Sequence, residues 1–159
     1  MARQPTDDTT PAIGGAPLAP FVLPAAVRQA IVDHAAREHP LECCGLLVGR
    51  DRVVTAAVPM RNVAASATRF RIDDREHIAL RRALRLVAPP LQVIGVYHSH
   101  PGGIPRPSPR DIAEAFYPDW LHVIVGGGDA RPRVRGFMID AGRPRPLRLC
   151  PAVADVPAG

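Results

Sequence analysis

Two histidines and an aspartate stand at a spacing that suits metal coordination. His98 and His100 are separated by one residue, and Asp111 follows eleven residues after the second histidine. Two imidazoles and a carboxylate form a ligand set that zinc uses in hydrolytic sites, where the fourth position is left for water. These three residues therefore favour a single metal ion that performs hydrolysis.

The segments around these residues predict how they are brought together. The apolar run 91–97 predicts a buried strand. Because side chains alternate along a strand, His98 and His100 at its end would lie on one face. Residues 108–111, Ser-Pro-Arg-Asp, predict a helix start with Ser as N-cap, Pro at the first helical position and Asp closing a capping box. Taken alone this pattern indicates only a helix start, but a first helical turn can also present a ligand.

These residues resemble the motif of a known protease family. The H-x-H-x7-S-x2-D pattern of the JAMM (MPN-plus) metalloproteases is matched by His98, His100, Ser108 and Asp111. Upstream, residues 40–49 match the family's Pro-x-Glu-x-Cys-Gly-x-Leu-x-Gly segment, with Glu42 at the glutamate position. The resemblance covers roughly residues 22–139 and is closest to the short, single-domain bacterial members. This short type resembles the sulfur-carrier (CysO-cysteine) peptidases, and some of its members act on ubiquitin-like sulfur-carrier proteins.

The resemblance implies a fold and a role for each motif residue. The fold would be α+β, of the JAMM/MPN (cytidine-deaminase-like) type, with a curved mixed β-sheet flanked by helices. One Zn²⁺ per chain would be held by His98, His100 and Asp111. Glu42 is the candidate general base and acid for a zinc-activated water, although a glutamate at a strand start is often only solvent-exposed. Ser108 is the candidate donor to the oxyanion.

The predicted reaction is hydrolysis of a peptide or isopeptide bond. The resemblance places this bond after the C-terminal Gly-Gly of a ubiquitin-like or sulfur-carrier protein. The alternatives are a metallopeptidase for small peptides, a RadC-like nucleic-acid-associated protein, and a non-catalytic MPN binding module. The complete motif argues against the binding module. Near the motif, His122 is interpreted as structural, and Glu114 or Asp119 is a candidate hydrogen-bond partner of a ligand histidine.

Length, charge and cysteine content limit the remaining possibilities. A chain of 159 residues suits one domain, predicted over 21–150, with a disordered arm at 1–20 and a flexible tail at 151–159. All twenty basic residues are arginines, and their two densest groups are not interleaved with aromatics, which argues against a nucleic-acid surface. Three cysteines, no secretory signal and no membrane-length apolar run predict a cytoplasmic protein.

Periodicity and turn residues also predict the individual elements. Strands are expected at 21–23, 43–48, 52–58, 70–72, 91–97, 121–125, 133–139 and 146–149. Helices are expected at 24–38, from Asp73 or Asp74 to about 87, and at 109–116.

Overall fold

The computed structural model describes residues 17–127 and 131–151. The predicted arm and tail therefore lie outside the described residues, except for residues 17–20 and 151. The helices are α1 (Ala25–Glu38), α2 (Asp74–Leu84) and α3 (Pro109–Ala113). The strands are β1 (Phe21–Val22), β2 (Cys44–Arg50), β3 (Val53–Met60), β4 (Gln92–Ser99), β5 (Leu121–Gly126), β6 (Arg133–Asp140), β7 (Arg143–Leu147) and β8 (Leu149–Cys150).

The described strands form one mixed sheet in the order β7-β6-β5-β4-β2-β3-β1-β8. β2 and β3 form a hairpin, and β4 runs antiparallel to β2 on its other side. β4 and β5 are parallel. A parallel pair needs a crossover connection, and here that connection is the segment between His100 and Trp120, which contains α3. The carboxyl end of β4 and the start of α3 are therefore brought to the same edge of the sheet.

Helices and apolar clusters cover both faces of the central strands. Cys43 and Leu47 pack with Ile31 of α1 in one buried cluster. Cys44 and Leu46 belong to the cluster on the opposite face, which also contains Leu84 of α2. The two adjacent cysteines therefore lie on opposite faces of the sheet. A strand that is buried on both faces has a continuous apolar sequence. This is why β2 could be predicted from the sequence.

One glycine of the upstream motif is required by packing between β2 and β4. Gly45 lies directly opposite Tyr97 in the register of these strands. A Cβ at Gly45 would overlap the Tyr97 ring. The Tyr97 hydroxyl in turn lies 2.8 Å from Nδ1 of the buried His34 on α1. This close packing fixes β2 against β4 and so fixes the two motifs against each other.

Several predicted boundaries are wrong. Residues 70–72 do not form a strand, because only Ile72 makes an isolated bridge, to Asn62. α2 ends at Leu84, three residues early, in a tighter turn before two consecutive prolines. α3 ends at Ala113 rather than at 116, with Glu114 as its C-cap. The predicted cap of α2 is Asp73, which accepts from two main-chain amides.

Within the described residues, α1 is the longest helix, with 14 residues. No helix in this part of the chain is long and apolar enough to cross a membrane.

Candidate metal centre and its clefts

The fold brings three of the motif side chains to one point. Nε2 of His98 lies 3.0 Å from Nε2 of His100. Oδ2 of Asp111 lies 3.4 Å from the first of these nitrogens and 3.3 Å from the second. His98 is the second-last residue of β4 and is 1% exposed, whereas Asp111 comes from the first turn of α3. The three donor atoms therefore form a nearly equilateral triangle.

This triangle has the dimensions of one face of a tetrahedral zinc site. Zinc binds nitrogen and oxygen ligands at about 2.0–2.1 Å in a tetrahedron, which places neighbouring ligand atoms roughly 3.3 Å apart. The observed separations of 3.0, 3.3 and 3.4 Å match this spacing. Two histidines and a carboxylate also leave one tetrahedral position open. The residues present fit a hydrolytic zinc ion.

Hydrogen bonding sets the orientation of the His100 ring. Nδ1 of His100 lies 3.0 Å from the carbonyl oxygen of Ile104. A carbonyl can only accept, so Nδ1 carries the proton and the neutral ring keeps its lone pair on Nε2. A main-chain carbonyl thus takes the role that the sequence suggested for Glu114 or Asp119.

His98 is oriented by packing instead. Its ring stacks on Phe70 at a centroid distance of 4.5 Å. Its Nδ1 is buried without a hydrogen-bond partner in the described part of the chain. Burial lowers the pKa of His98, which favours the neutral ring that a metal needs.

Asp111 is held by the helix start that the sequence predicted. Its Oδ2 accepts from the main-chain N–H of Ser108 at 2.7 Å, and Ser108 Oγ accepts from the Asp111 N–H at 3.1 Å. Burial alone would raise the pKa of Asp111, but hydrogen bonds with His100 and His98 outweigh it and hold this pKa well below its usual range. The predicted capping box and a ligand position coincide in one carboxylate.

Glu42 lies just before β2, beside the triangle, and is 5% exposed. Burial raises its pKa to about 7. His100 and Arg110 act in the opposite direction, whereas Asp111 adds to the increase. A carboxyl group that titrates near neutrality can both accept and return a proton.

Two clefts open on either side of the triangle. One, of about 490 Å³, contains Glu42, His100 and Ser108. It is also lined by the small residues Ala67 and Thr68 and by the loop 101–107. We call it the base cleft. It brings together the three motif side chains that could hold, attack or polarise a substrate.

The second cleft, of about 310 Å³, reaches His98 and Asp111 from the other side. We call it the aromatic cleft. It is also lined by Phe70, Phe116, Tyr117 and Trp120. His122, which was interpreted as structural, lines it as well. The Nε2 of His122 is buried without a partner among the described residues, and burial lowers its pKa to about 4.

The loop that connects the ligands, residues 101–107, is fastened to the end of β5. The main-chain N–H of His100 donates to the Val125 carbonyl at 2.7 Å, and that of Gly127 donates to the Gly103 carbonyl at 2.7 Å. Gly126 lacks a Cβ where the loop passes, and a Cβ there would lie 2.6 Å from the Gly103 oxygen. The loop is therefore held against the sheet, and its Ile104 carbonyl binds the His100 ring.

Sequence reasoning missed a polar residue that organises the other side of the base cleft. Residues 61–72, which we call the base loop, fold around the side chain of Asn62. This loop supplies Ala67 and Thr68 to the cleft wall. Its hydrogen bonds are local and its residues show no periodicity, so no sequence pattern pointed to it.

The model of the prokaryotic homologues of the JAB domain (Prok-JAB) matches residues 24–140. The chain belongs to this family. The JAMM/MPN assignment made from the two motifs is therefore confirmed. The matched range contains Glu42, all three corners of the triangle and Ser108.

Two curated proteins and one solved structure show the nature of the relatives. A CysO-cysteine peptidase of Mycobacterium tuberculosis is 36% identical over 123 residues, which cover 75% of this chain and 82% of that protein. A desampylase of Haloferax volcanii is 36% identical over 109 residues, covering 64% and 77%. A JAB1/MPN domain protein from Archaeoglobus fulgidus superposes with a TM-score of 0.56 at 20% identity, covering 82% and 98%. This likeness confirms the predicted α+β fold.

Proposed function

We propose that the protein is a zinc-dependent peptidase that cleaves the bond after the C-terminal Gly-Gly of a ubiquitin-like or sulfur-carrier protein. One observation carries the chemistry. A triangle of donor atoms with edges of 3.0–3.4 Å shares a cleft with a buried carboxyl group whose pKa is raised to about 7. Metal-assisted hydrolysis requires metal ligands and, beside them, a base that titrates near neutral pH.

The metal would be held by His98, His100 and Asp111. When bound, Zn²⁺ supplies Lewis acidity and lowers the pKa of a coordinated water toward roughly 7. Glu42 accepts a proton from the attacking water and delivers it to the leaving amine. Ser108 Oγ uses a lone pair for the Asp111 N–H, so its own O–H is available to donate to the oxygen that becomes negative.

Two features support the substrate class. The similar proteins include a CysO-cysteine peptidase and a desampylase, which supports a protein conjugate as the substrate. In addition, the lining of the base cleft includes the small residues Ala67, Thr68 and Gly103, beside the larger Ile104 and Arg106. The small residues leave room for a main chain to pass close to Glu42. A Gly-Gly tail suits such a passage because it has no side chains.

The first experiment combines elemental analysis with a hydrolysis assay. The substrate is a sulfur-carrier protein that bears one amino acid after its Gly-Gly end. We expect about one zinc per chain and chelator-sensitive release of the amino acid. Glu42→Gln is the matched control, since it should keep the zinc and lose the release.

The other outcomes point to different functions. Zinc without release from the carrier, but with cleavage of a short peptide, would indicate the small-peptide peptidase. No zinc after reconstitution would contradict catalysis and favour the MPN binding module. Retention on DNA at physiological salt would favour the RadC-like role. The cytoplasmic location and the boundaries 21–150 stay predictions.

A further inference from the structure

The main chain of Glu42 is not held by the sheet. The next residue, Cys43, is tied to β4, since its N–H donates to Ser99 Oγ at 2.8 Å and its carbonyl accepts from the Ser99 N–H at 3.1 Å. The Glu42 N–H donates instead to the carbonyl of Ser66 at 2.9 Å. The Glu42 carbonyl accepts from Nδ2 of Asn62 at 3.0 Å. Both main-chain groups of the candidate base therefore bind the base loop.

The Asn62 carboxamide is fully used in this arrangement. Nδ2 also donates to the Arg69 carbonyl at 3.1 Å. Oδ1 accepts from the main-chain N–H groups of Ala64 and Arg71, each at 3.0 Å. A primary amide offers two donor hydrogens and two acceptor lone pairs, and each has one partner. Because carbonyls only accept and amides only donate, these partners also determine which end of the carboxamide is the nitrogen.

We propose that Asn62 is the positioning residue of Glu42. Its oxygen closes the base loop by binding two amides of that loop, and its nitrogen connects the closed loop to the Glu42 carbonyl. The Glu42 carboxylate is thereby set at one place beside the metal ligands. This inference rests on the proposed role of Glu42 as the base.

The oxygen and the nitrogen of the Asn62 carboxamide have different partners. A substitution that changes only one of them can therefore distinguish positioning of Glu42 from folding of the base loop. Asn62→Asp keeps the acceptor oxygen, and with it the bonds to Ala64 and Arg71, but loses the donors to Glu42 and Arg69. The loop wall should then stay closed while Glu42 loses its anchor. A misplaced base lowers kcat, whereas a displaced wall alters substrate binding and KM.

The matched control lies in the same loop. Among the described residues, the hydrogen bonds of the Ser66 hydroxyl are with Thr68, accepting from its N–H at 3.2 Å and lying 3.4 Å from its hydroxyl. Ser66→Ala therefore removes a local loop contact and leaves both main-chain bonds of Glu42 in place.

The kinetic experiment compares these variants as zinc-loaded proteins. We expect Asn62→Asp to lower kcat by roughly 10- to 100-fold, the size that a misplacement of about 1 Å produces. KM and zinc content should stay within about threefold, and Ser66→Ala should keep kcat within about threefold. In a Glu42→Gln background, Asn62→Asp should lower the small residual single-turnover rate no further, because residues that act as a unit are non-additive. Equal losses in Asn62→Asp and Ser66→Ala, or an undiminished loss in the Glu42→Gln background, would overturn the proposal.

A second readout needs no substrate. Hydrogen exchange of the Glu42 main-chain amide should accelerate at least about tenfold in Asn62→Asp and stay unchanged in Ser66→Ala, because opening of that bond follows the local stability of the loop junction. Asn62 is the only asparagine in the chain, so labelling with asparagine that carries ¹⁵N in its side-chain amide reports its two NH₂ protons alone. Both should exchange slowly, and exchange as fast as in the unfolded protein would refute the proposal. This readout stands even if the wild-type protein hydrolyses no tested substrate, so the two proposals fail separately.

Discussion

The buried position of Glu42 should make the metal-free protein less stable as the pH rises. Its pKa is raised from 4.5 to about 7, chiefly by burial. The folded state therefore holds this proton more tightly than the unfolded state does. Stability from this group is fully present below pH 4.5 and is lost as the pH rises through about 7.

The size of this effect follows from the shift in pKa. A rise from 4.5 to about 7 corresponds to roughly 3 kcal/mol at about 1.36 kcal/mol per unit. Water in the base cleft solvates part of the carboxylate, so we expect about 2–3 kcal/mol. Glu42→Gln resembles the protonated acid and cannot ionise. In the metal-free state it should match the wild type at pH 4.5 and exceed its unfolding free energy by this amount at pH 8.

The measurement is urea unfolding of both proteins in EDTA at several values between pH 4.5 and 8. Groups that titrate equally in the two proteins cancel in the difference, so only the pH dependence of that difference matters. The slope of unfolding free energy with urea should be the same in both proteins. If the difference in unfolding free energy between the two proteins stays constant across this range, burial of the Glu42 charge does not destabilise the fold.

Substitutions at three further residues test the site and its support. Asp111→Ala removes the oxygen at 3.3–3.4 Å from both ligand nitrogens and should reduce zinc content from about one per chain to near zero; an unchanged content by elemental analysis would show that this carboxylate is not a ligand. Gly45→Ala places a methyl group on the Tyr97 ring and should lower the unfolding free energy by at least about 1–3 kcal/mol, whereas an unchanged denaturation midpoint would argue against this packing. Ser108→Ala should lose about 1 kcal/mol of capping energy and lower kcat by 10²–10³-fold, whereas Ser108→Thr should retain the cap and the midpoint but still lose rate; equal activity of Thr and wild type would exclude a precise catalytic placement.

The metal triangle could be predicted from the sequence because its parts are local. The period of a strand brings His98 and His100 to one face, and the capping box makes Asp111 face back toward the chain that precedes α3. Continuous apolar runs likewise indicated the buried strands β2 and β4, since both of their faces are covered.

Glu42 was assigned to the site only through the motif resemblance. No local rule places a residue before β2 next to the end of β4. The antiparallel register of these strands, with Cys44 opposite His98, brings it there.

What only the tertiary structure decided was how each side chain is held and surrounded. The Ile104 carbonyl that orients His100 and the Asn62 carboxamide that binds Glu42 are partners across irregular segments, where sequence carries no period. The predicted strand at 70–72 was wrong for the same reason. Apolar and β-branched residues favour a strand only if an edge is available to pair with, and this segment folds on its own loop. The chemistry of the site was therefore readable from residue types and spacing, whereas its protonation states and supports depend on burial and on contacts between distant segments.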